Sequence, residues 1–397
     1  MKGYLREDGR KGIRNQLLVV YLVECAHHVA REISYGFRDR PVQLIGFQGC
    51  FPNTYAAQVM ARLCTHPNTG GVLLVSLGCE SFDRTGLKSA IEASGRPVKT
   101  LVIQKTGGTL STIKEGRQWV QDTLVSLENV PTVEMNYSDL VVGTICGGSD
   151  SFSGITANPA VGEAFDQLVD KGATAIFEET GELIGCEHHM AARAVSPVVG
   201  EAIIESVGKA ARHYKTLGHG SFGLGNAEGG LTTQEEKSLG AYAKSGTRPI
   251  NGLIKPGDIP AEGGLYLLDL VSDGEVRFGF SNINDNSEIA DLIACGSHLI
   301  LFTTGRGSVV GSAISPVIKV CANAQTYQHM SDDMDIDASR LLGGHVTLGQ
   351  VGSKIVDMVT RVASGEKTCS ETLGHQEFNL SYKSFEPVGP ACFPDGG

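Results

Sequence analysis

The sequence lacks any Cys-x-x-Cys pair among its ten cysteines, so it offers no paired spacing for a zinc knuckle. No apolar run reaches the roughly 18 residues that a membrane span needs. Charged residues come at once, and no early stretch has the charged, apolar and small-residue order of a signal peptide. The expected compartment is therefore the cytoplasm, with reduced thiols and no membrane partner. Positive charge is also scarce: 33 Lys and Arg stand against 44 Asp and Glu, a net charge of −11. That balance argues against nucleic acid as a main partner. A small anionic substrate stays open, since a local arginine cluster overrides the global field. No repeat of fixed solenoid period occurs.

What is present is length, glycine and alternation. At 397 residues the chain is long for one core, and two or three domains are expected. The 51 glycines gather at strand ends and in loops, which suits backbones that approach ligands closely. From strand 16–23 onward, apolar runs at 42–47, 71–77 and 98–104 alternate with helical periodicity at 26–37, 54–64, 84–94 and 109–127. Such alternation predicts an α/β fold: a parallel-sheet, Rossmann-like first domain over 1–132. A second α/β domain over 133–397 carries a Gly-rich loop and a C-terminal tail with Pro387, Pro390 and Pro394. Strand ends of the first domain share a small polar turn, as in Gly49-Cys50 and Gly78-Cys79-Glu80-Ser81. At Gly107-Gly108-Thr109 the turn opens a helix, either as an anion site or with Thr109 as a simple N-cap. The charged stretch 3–15 is read as a loop whose arginines grip a carboxylate or pair with local acids.

The chain is organised around 142–193. A buried strand ends in Cys146-Gly147-Gly148-Ser149-Asp150. A second ends in Glu178-Glu179-Thr180-Gly181-Glu182 and is followed by Cys186-Glu187-His188-His189. A thiol and so many acids and imidazoles at adjacent strand ends point to an active site, because the carboxyl edge of such a sheet is where ligands sit. A helix is predicted over 189–217, and then a loop with six glycines over 218–230, including His219. The loop reads as a lid or anion cradle. A capping box, Thr232 with Glu235 or Thr233 with Glu236, starts the next helix. Further strands are predicted at 249–254, 264–271, 298–302 and 317–320, and a helix at 347–363. The acidic run Asp332–Asp337 reads as a solvated strand or turn.

These strings resemble the altronate and galactarate dehydratase family of sugar-acid hydro-lyases. The resemblance lies in Cys146-Gly147-Gly148-Ser149-Asp150 with Ala157-Asn158-Pro159, Glu179-Thr180-Gly181-Glu182, Gly229-Gly230-Leu231-Thr232-Thr233, Phe302-Thr303-Thr304-Gly305-Arg306-Gly307 and the Asp8-Gly9-Arg10 start with Arg14-Asn15. It spans nearly the whole chain. It implies loss of water from an aldonate or aldarate to give a 2-keto-3-deoxy acid, with Fe(II) or another divalent metal such as Mn(II). It also implies a separate small β-clip (SAF) subunit, since the chain starts at the large catalytic part, and a homo-oligomer is expected. One departure stands out: the family's Asn-Pro-Ser-Pro-Gly-Asn string is here Phe222-Gly223-Leu224-Gly225-Asn226, so the substrate is open.

Dehydration needs a base for the proton α to the carboxylate, positive charge for the enediolate, and an acid for the leaving hydroxyl. The expected metal ligands are Glu182, Glu187, His188 and Cys146, with Asp150 as an alternative. His189, Lys237 or His188 is the expected acid–base group; the alternative for Lys237, a few residues into a helix, is a simple pair with Glu228 or Glu235. Arg14, Ser149, Asp150, Asn158, Thr304 and Arg306 are the expected substrate contacts. Cys50, Cys79 and Cys146 make an alternative iron–sulfur set if three strand ends converge. Two other functions compete: a carbon–sulfur lyase of the sulfolactate type, and a ligand-binding subunit without chemistry.

Overall fold

The computed structural model describes residues 1–218, 220–274, 284–344 and 346–380. His219, the tail prolines and Cys392 lie outside the described residues. The α/β expectation holds, with two parallel sheets. The first has the order Val42–Gly46, Gln16–Tyr21, Thr69–Ser76, Val98–Val102, every pair parallel. Helices Glu24–Tyr35 and Thr109–Glu128 cover one face, and Thr54–Cys64 and Arg84–Ala93 the other. The Thr69–Ser76 strand is buried along its whole length, as a central strand covered on both faces must be.

The second sheet has seven parallel strands in the order Ile250–Ile254, Gly264–Leu268, Thr174–Glu178, Val141–Cys146, Leu299–Thr304, Val317–Cys321, Ile336–Asp337. Side chains alternate across it. Val142, Ala175, Phe177 and Leu301 face helices Ala157–Asp170 and Leu348–Ala363. Ile145, Ile176, Ile300 and Phe302 face helix Asp285–Ala294 in a core shared with the first sheet. Tyr55 donates a hydrogen bond from its hydroxyl to Asp291 across that junction (2.5 Å). Among the described residues no helix is long and apolar enough to cross a membrane.

Several local expectations are corrected. The 3–15 stretch is a hairpin: Lys2–Leu5 pairs with Lys11–Gly12 and, on its other edge, with Thr132–Glu134. Gly108, not Thr109, caps helix Thr109–Glu128. The predicted 189–217 helix is two, Glu187–Ala191 and Pro197–Leu217, because Ser196 with Pro197 makes a fresh N-terminus. Helices Ala157–Asp170 and Asp285–Ala294 were not foreseen.

Arg14 was expected to grip substrate and instead ties the chain's ends together. Its guanidinium donates to both oxygens of Glu371 (2.7 and 2.9 Å) and to the carbonyls of Val362 and Glu366. The reason is positional: Arg14 precedes strand Gln16–Tyr21, so it sits at the amino edge of the sheet, away from the carboxyl edge. Arg14→Met should lower unfolding stability by roughly 1.5–3 kcal/mol, the range for hydrogen bonds to charged groups. Denaturant titration checks this. Unchanged stability with a raised KM would restore the substrate role.

Candidate active site

The Val141–Cys146 strand lies at the middle of the second sheet, between Thr174–Glu178 and Leu299–Thr304. The chain fills the first side and later crosses over to start the second. Such a reversal leaves a crevice at the carboxyl ends of the strands. There Gly147 N–H donates to Thr303 O, and the amides of Gly305 and Arg306 both donate to Gly148 O (3.1 and 2.8 Å). Gly148 has φ +60°, and a Cβ on Gly147 would lie 2.1 Å from Asp285 Oδ2. A side chain at Gly147 would push the Asp285 and Phe302 side chains aside, and the left-handed backbone at Gly148 favours glycine.

A cavity of about 320 Å³ opens on this turn, lined by Cys146, Ser149, Glu182, Lys237, Asp285 and Glu288 among others. Lys237 is delivered by helix Gln234–Lys244, which starts on the Thr233–Glu236 capping box. That helix packs on Ala157–Asp170 at Gly162, where a Cβ would lie 2.1 Å from the Ala243 carbonyl oxygen. Lys237 and Lys244 stand two turns apart and so share a face, and both are buried. Lys237 Nζ donates to Cys146 Sγ (2.9 Å) and to Ser149 Oγ (3.3 Å). Cys146 Sγ also lies 3.5 Å from Glu179 Oε2, and Lys244 pairs with Glu179 beneath it.

The electrostatics follow from two buried ammoniums among buried acids. Burial alone would raise the Cys146 thiol, but the charges of Lys237 and Lys244 and the Lys237 and Ser149 hydrogen bonds outweigh it and pull it down to about 6. Burial would likewise lower Lys237, yet the Cys146 thiolate and Glu182 hold it above the ordinary lysine range. Burial, reinforced by the thiolate's charge and only partly offset by Lys237, pushes Glu182 up to about 7. Burial and the same thiolate push Asp285 up to about 6. The cavity thus sets a thiolate and an ammonium beside carboxyls held toward their protonated forms.

Of the predicted residues, the structure brings together Cys146, Ser149, Glu182 and Lys237. Glu187 accepts from Gly185 N–H (2.7 Å), and His188 and His189 are exposed on the short helix Glu187–Ala191. That helix buries Met190 and so turns both imidazoles to solvent. The expected metal set is therefore split, and among the described residues no three His, Cys, Asp or Glu side chains gather in a way that could hold a metal ion. Asp150 is buried and accepts from Phe152 N–H, Ser153 N–H and Oγ, and Asn323 Nδ2. Asn158 is buried under the Lys237 helix, where Gly240 leaves room for its amide. Thr304 Oγ1 accepts from Gly307 N–H and reaches Gly148 O, bracing the turn. Arg306 donates to Gly225 O and pairs with Glu228 (3.1 Å), anchoring the Gly-rich loop whose residues 220–223 and Asn226 wall the cavity. Cys50 and Cys79 do not join Cys146; they are exposed on the first sheet.

Sequence reasoning named Glu179 only as part of the acidic strand end, without a role, and missed Lys244, Asp285 and Glu288. The seven-residue spacing of Lys237 and Lys244, with buried Ala241 between them, was a usable signal for two inward lysines. Asp285 had none, since a crossing connection brings it in.

The cavity lies at the reversal point of a parallel sheet, the place where α/β proteins of this architecture bind small molecules. Comparison makes the class specific. Residues 3–128 match the second domain of D-galactarate dehydratase/altronate hydrolase, and residues 137–385 match the D-galactarate/altronate dehydratase C-terminal domain. The chain belongs to this family. It is 33% identical to the (2R)-sulfolactate sulfo-lyase subunit beta of Chromohalobacter salexigens over 96% of both chains. It is 28% identical to the altronate dehydratase of Bacillus subtilis, over 92% of this chain and 74% of the relative. It is 33% identical to the galactarate dehydratase of Escherichia coli, over 77% of this chain and 58% of the relative. Its named relatives are lyases.

The Cys146 titration is directly measurable. Alkylation by iodoacetamide, followed site by site with peptide mass mapping, should rise with pH around a midpoint near 6, because the reactive thiolate is lost as pH falls through that value. In Lys237→Met the midpoint should move up. A midpoint at the ordinary thiol value in the unaltered protein would remove the ion pair.

Proposed function

We propose that this chain is a hydro-lyase that removes water from a sugar acid, an aldonate or aldarate, to give a 2-keto-3-deoxy acid. The observation that carries this reading is the opposed pair in one cavity: a thiol held below its ordinary range and a carboxyl held above its own. The two environments reverse the usual order of thiol and carboxyl, so the thiol is placed to act as base and the carboxyl as acid. The Cys146 thiolate takes the proton on C2. The electron pair moves toward the carboxylate, and Lys237 meets the charge that grows there. Glu182 gives its proton to the hydroxyl leaving C3, so the C2–H and C3–O bonds break, C2=C3 forms and water departs. The resulting enol becomes the 2-keto acid by proton shift. Asp285, also held toward its protonated form, is the second acid within the same cavity.

A second reading has a specific observation behind it, the 33% identity over 96% of both chains with the sulfolactate sulfo-lyase subunit. The same base and cation would then expel sulfite, an anion that departs without taking a proton. The raised Glu182 favours the first reading, because only a hydroxyl needs an acid. The relative's name as a subunit beta also supports a separate partner subunit for this chain.

Glu182→Gln separates the two. With aldonates and aldarates tried in the presence of the partner subunit, keto acid should form without sulfite, and the variant should lose about 10²–10⁴-fold in kcat, the range for a general acid. Sulfite released from sulfolactate, with Glu182→Gln fully active, would establish the second reading. Binding of a sugar acid with no turnover of any acid would sink both.

A further inference from the structure

The contact between Cys146 and Lys237 allows a chemistry besides proton transfer. An oxidant can join a thiol to a primary amine, and here the two touch: Lys237 Nζ stands 2.9 Å from Cys146 Sγ. That separation is as close as reacting atoms come in a near-attack arrangement. Both atoms are held in place from opposite sides. Cys146 ends a central strand of the second sheet, and Lys237 rides on helix Gln234–Lys244, which packs closely on Gly162 and Gly154. Ser149 Oγ bridges the pair, accepting from Nζ (3.3 Å) and donating to Sγ (3.5 Å).

The pair is sheltered yet reachable. Cys146 is 9% and Lys237 7% exposed, and both line the cavity of about 320 Å³, which admits a molecule as small as hydrogen peroxide. The thiolate is the form of cysteine that reacts with peroxide, and the Lys237 ammonium at its side keeps Cys146 in that form. Elsewhere an oxidised cysteine is rescued by a second thiol. Among the described residues no other cysteine lines this cavity. A sulfenic acid left without a partner goes on to sulfinic and sulfonic acid, which simple thiols do not reduce. The nitrogen already in contact with the sulfur offers another course.

We propose that Cys146 and Lys237 form an oxidative modification site, at which a peroxide joins them by a reversible sulfur–nitrogen bond. The thiolate sulfur attacks one peroxide oxygen, the O–O bond breaks, and a sulfenic acid and a hydroxide form. The sulfur gives up two electrons and the peroxide takes them. With the thiolate gone, burial of Lys237 is no longer offset by the charge beside it, and the ammonium passes a proton to the hydroxide to make water. The free amine then attacks the sulfur of the sulfenic acid. The S–O bond breaks, and the departing hydroxide takes a second proton from the nitrogen. One thiolate, one ammonium and one peroxide thus give one S–N bond and two waters. A dithiol reverses the step: thiol and amine are restored and the dithiol becomes a disulfide. The bond fastens helix Gln234–Lys244 to a strand end 91 positions away in the chain, and while it stands the cavity has neither its thiolate nor its ammonium. The contact alone carries this chemistry, whichever group leaves in the cavity.

The full chain, reduced and then freed of reductant, is treated with hydrogen peroxide, and its proteolytic peptides are mapped by mass spectrometry. The expected product joins the Cys146 peptide to the Lys237 peptide and is lighter than their sum by two hydrogens. Dithiothreitol should separate the two and return the Cys146 thiol, counted by alkylation. Lys237→Arg keeps a cation beside the sulfur but has no amine to attack it. There peroxide should carry Cys146 on to sulfinic and sulfonic acid, and dithiothreitol should not return the thiol. Circular dichroism shows that the variant is folded, and the map of the unaltered protein decides the matter without it. A disulfide from Cys146 to another cysteine, sulfinic acid at Cys146 of the unaltered protein with no cross-link, or Cys146 untouched at peroxide levels that oxidise the exposed Cys25 would overturn the proposal. So would the same recovery of the thiol in Lys237→Arg. These readouts are masses and thiol counts, so they stand apart from the outcome of the sugar-acid assays.

Discussion

The arrangement of this molecule turns on one buried contact, the Lys237 ammonium against the Cys146 sulfur at 2.9 Å. A lone charge in such a place would neutralise itself rather than pay its desolvation. Together the two stay charged, and each holds the other in its ionised form. Everything nearby responds. Burial, with the thiolate's charge added to it, lifts Glu182 and Asp285 toward their protonated forms, while Lys244 pairs with Glu179 beside the thiolate. Removing either partner would leave an uncompensated buried charge, so the cavity's acid and base are properties of the cluster rather than of single residues.

That contact depends on backbone proximity, and glycine supplies it. Gly147 lets Asp285 reach the strand end, and Gly162 lets the Lys237 helix lie close on its neighbour. The high glycine content is thus spent where elements converge on the cavity. The Gly-rich loop closes one wall and is anchored by Arg306 on Gly225 and Glu228, by Ser221 on Gln234 and by Ser151 on Gly229.

Much of the fold was legible. Runs such as Val72 to Val75 and Leu299 to Phe302 are short, apolar and bounded by turns, and both are buried parallel strands. The capping signal at Thr233 and Glu236 marked a real helix start. Helix Asp285–Ala294 was not legible, because its Asn284 cap and first-turn acids read equally well as a loop. Among site residues, Cys146, Ser149, Glu182 and Lys237 were found by their position after strands and at a helix start. Glu187 and His188 were chosen by the same logic, but their helix rolls them outward.

Sequence alone determined the periods, the caps and the places where chemistry-bearing residues cluster along the chain, because these depend on neighbours within a few residues. It also carried the family, since the motif strings are long and local. Tertiary structure decided which of those residues meet. Lys237 lies 91 positions from Cys146 in the chain, and Arg14 lies 357 from Glu371. Pairings over such distances are set by how sheets and helices close on one another, and no local pattern encodes them. The same closure sorted the cysteines into a buried thiolate in the cavity and an exposed trio on the first sheet, a division invisible in their spacing.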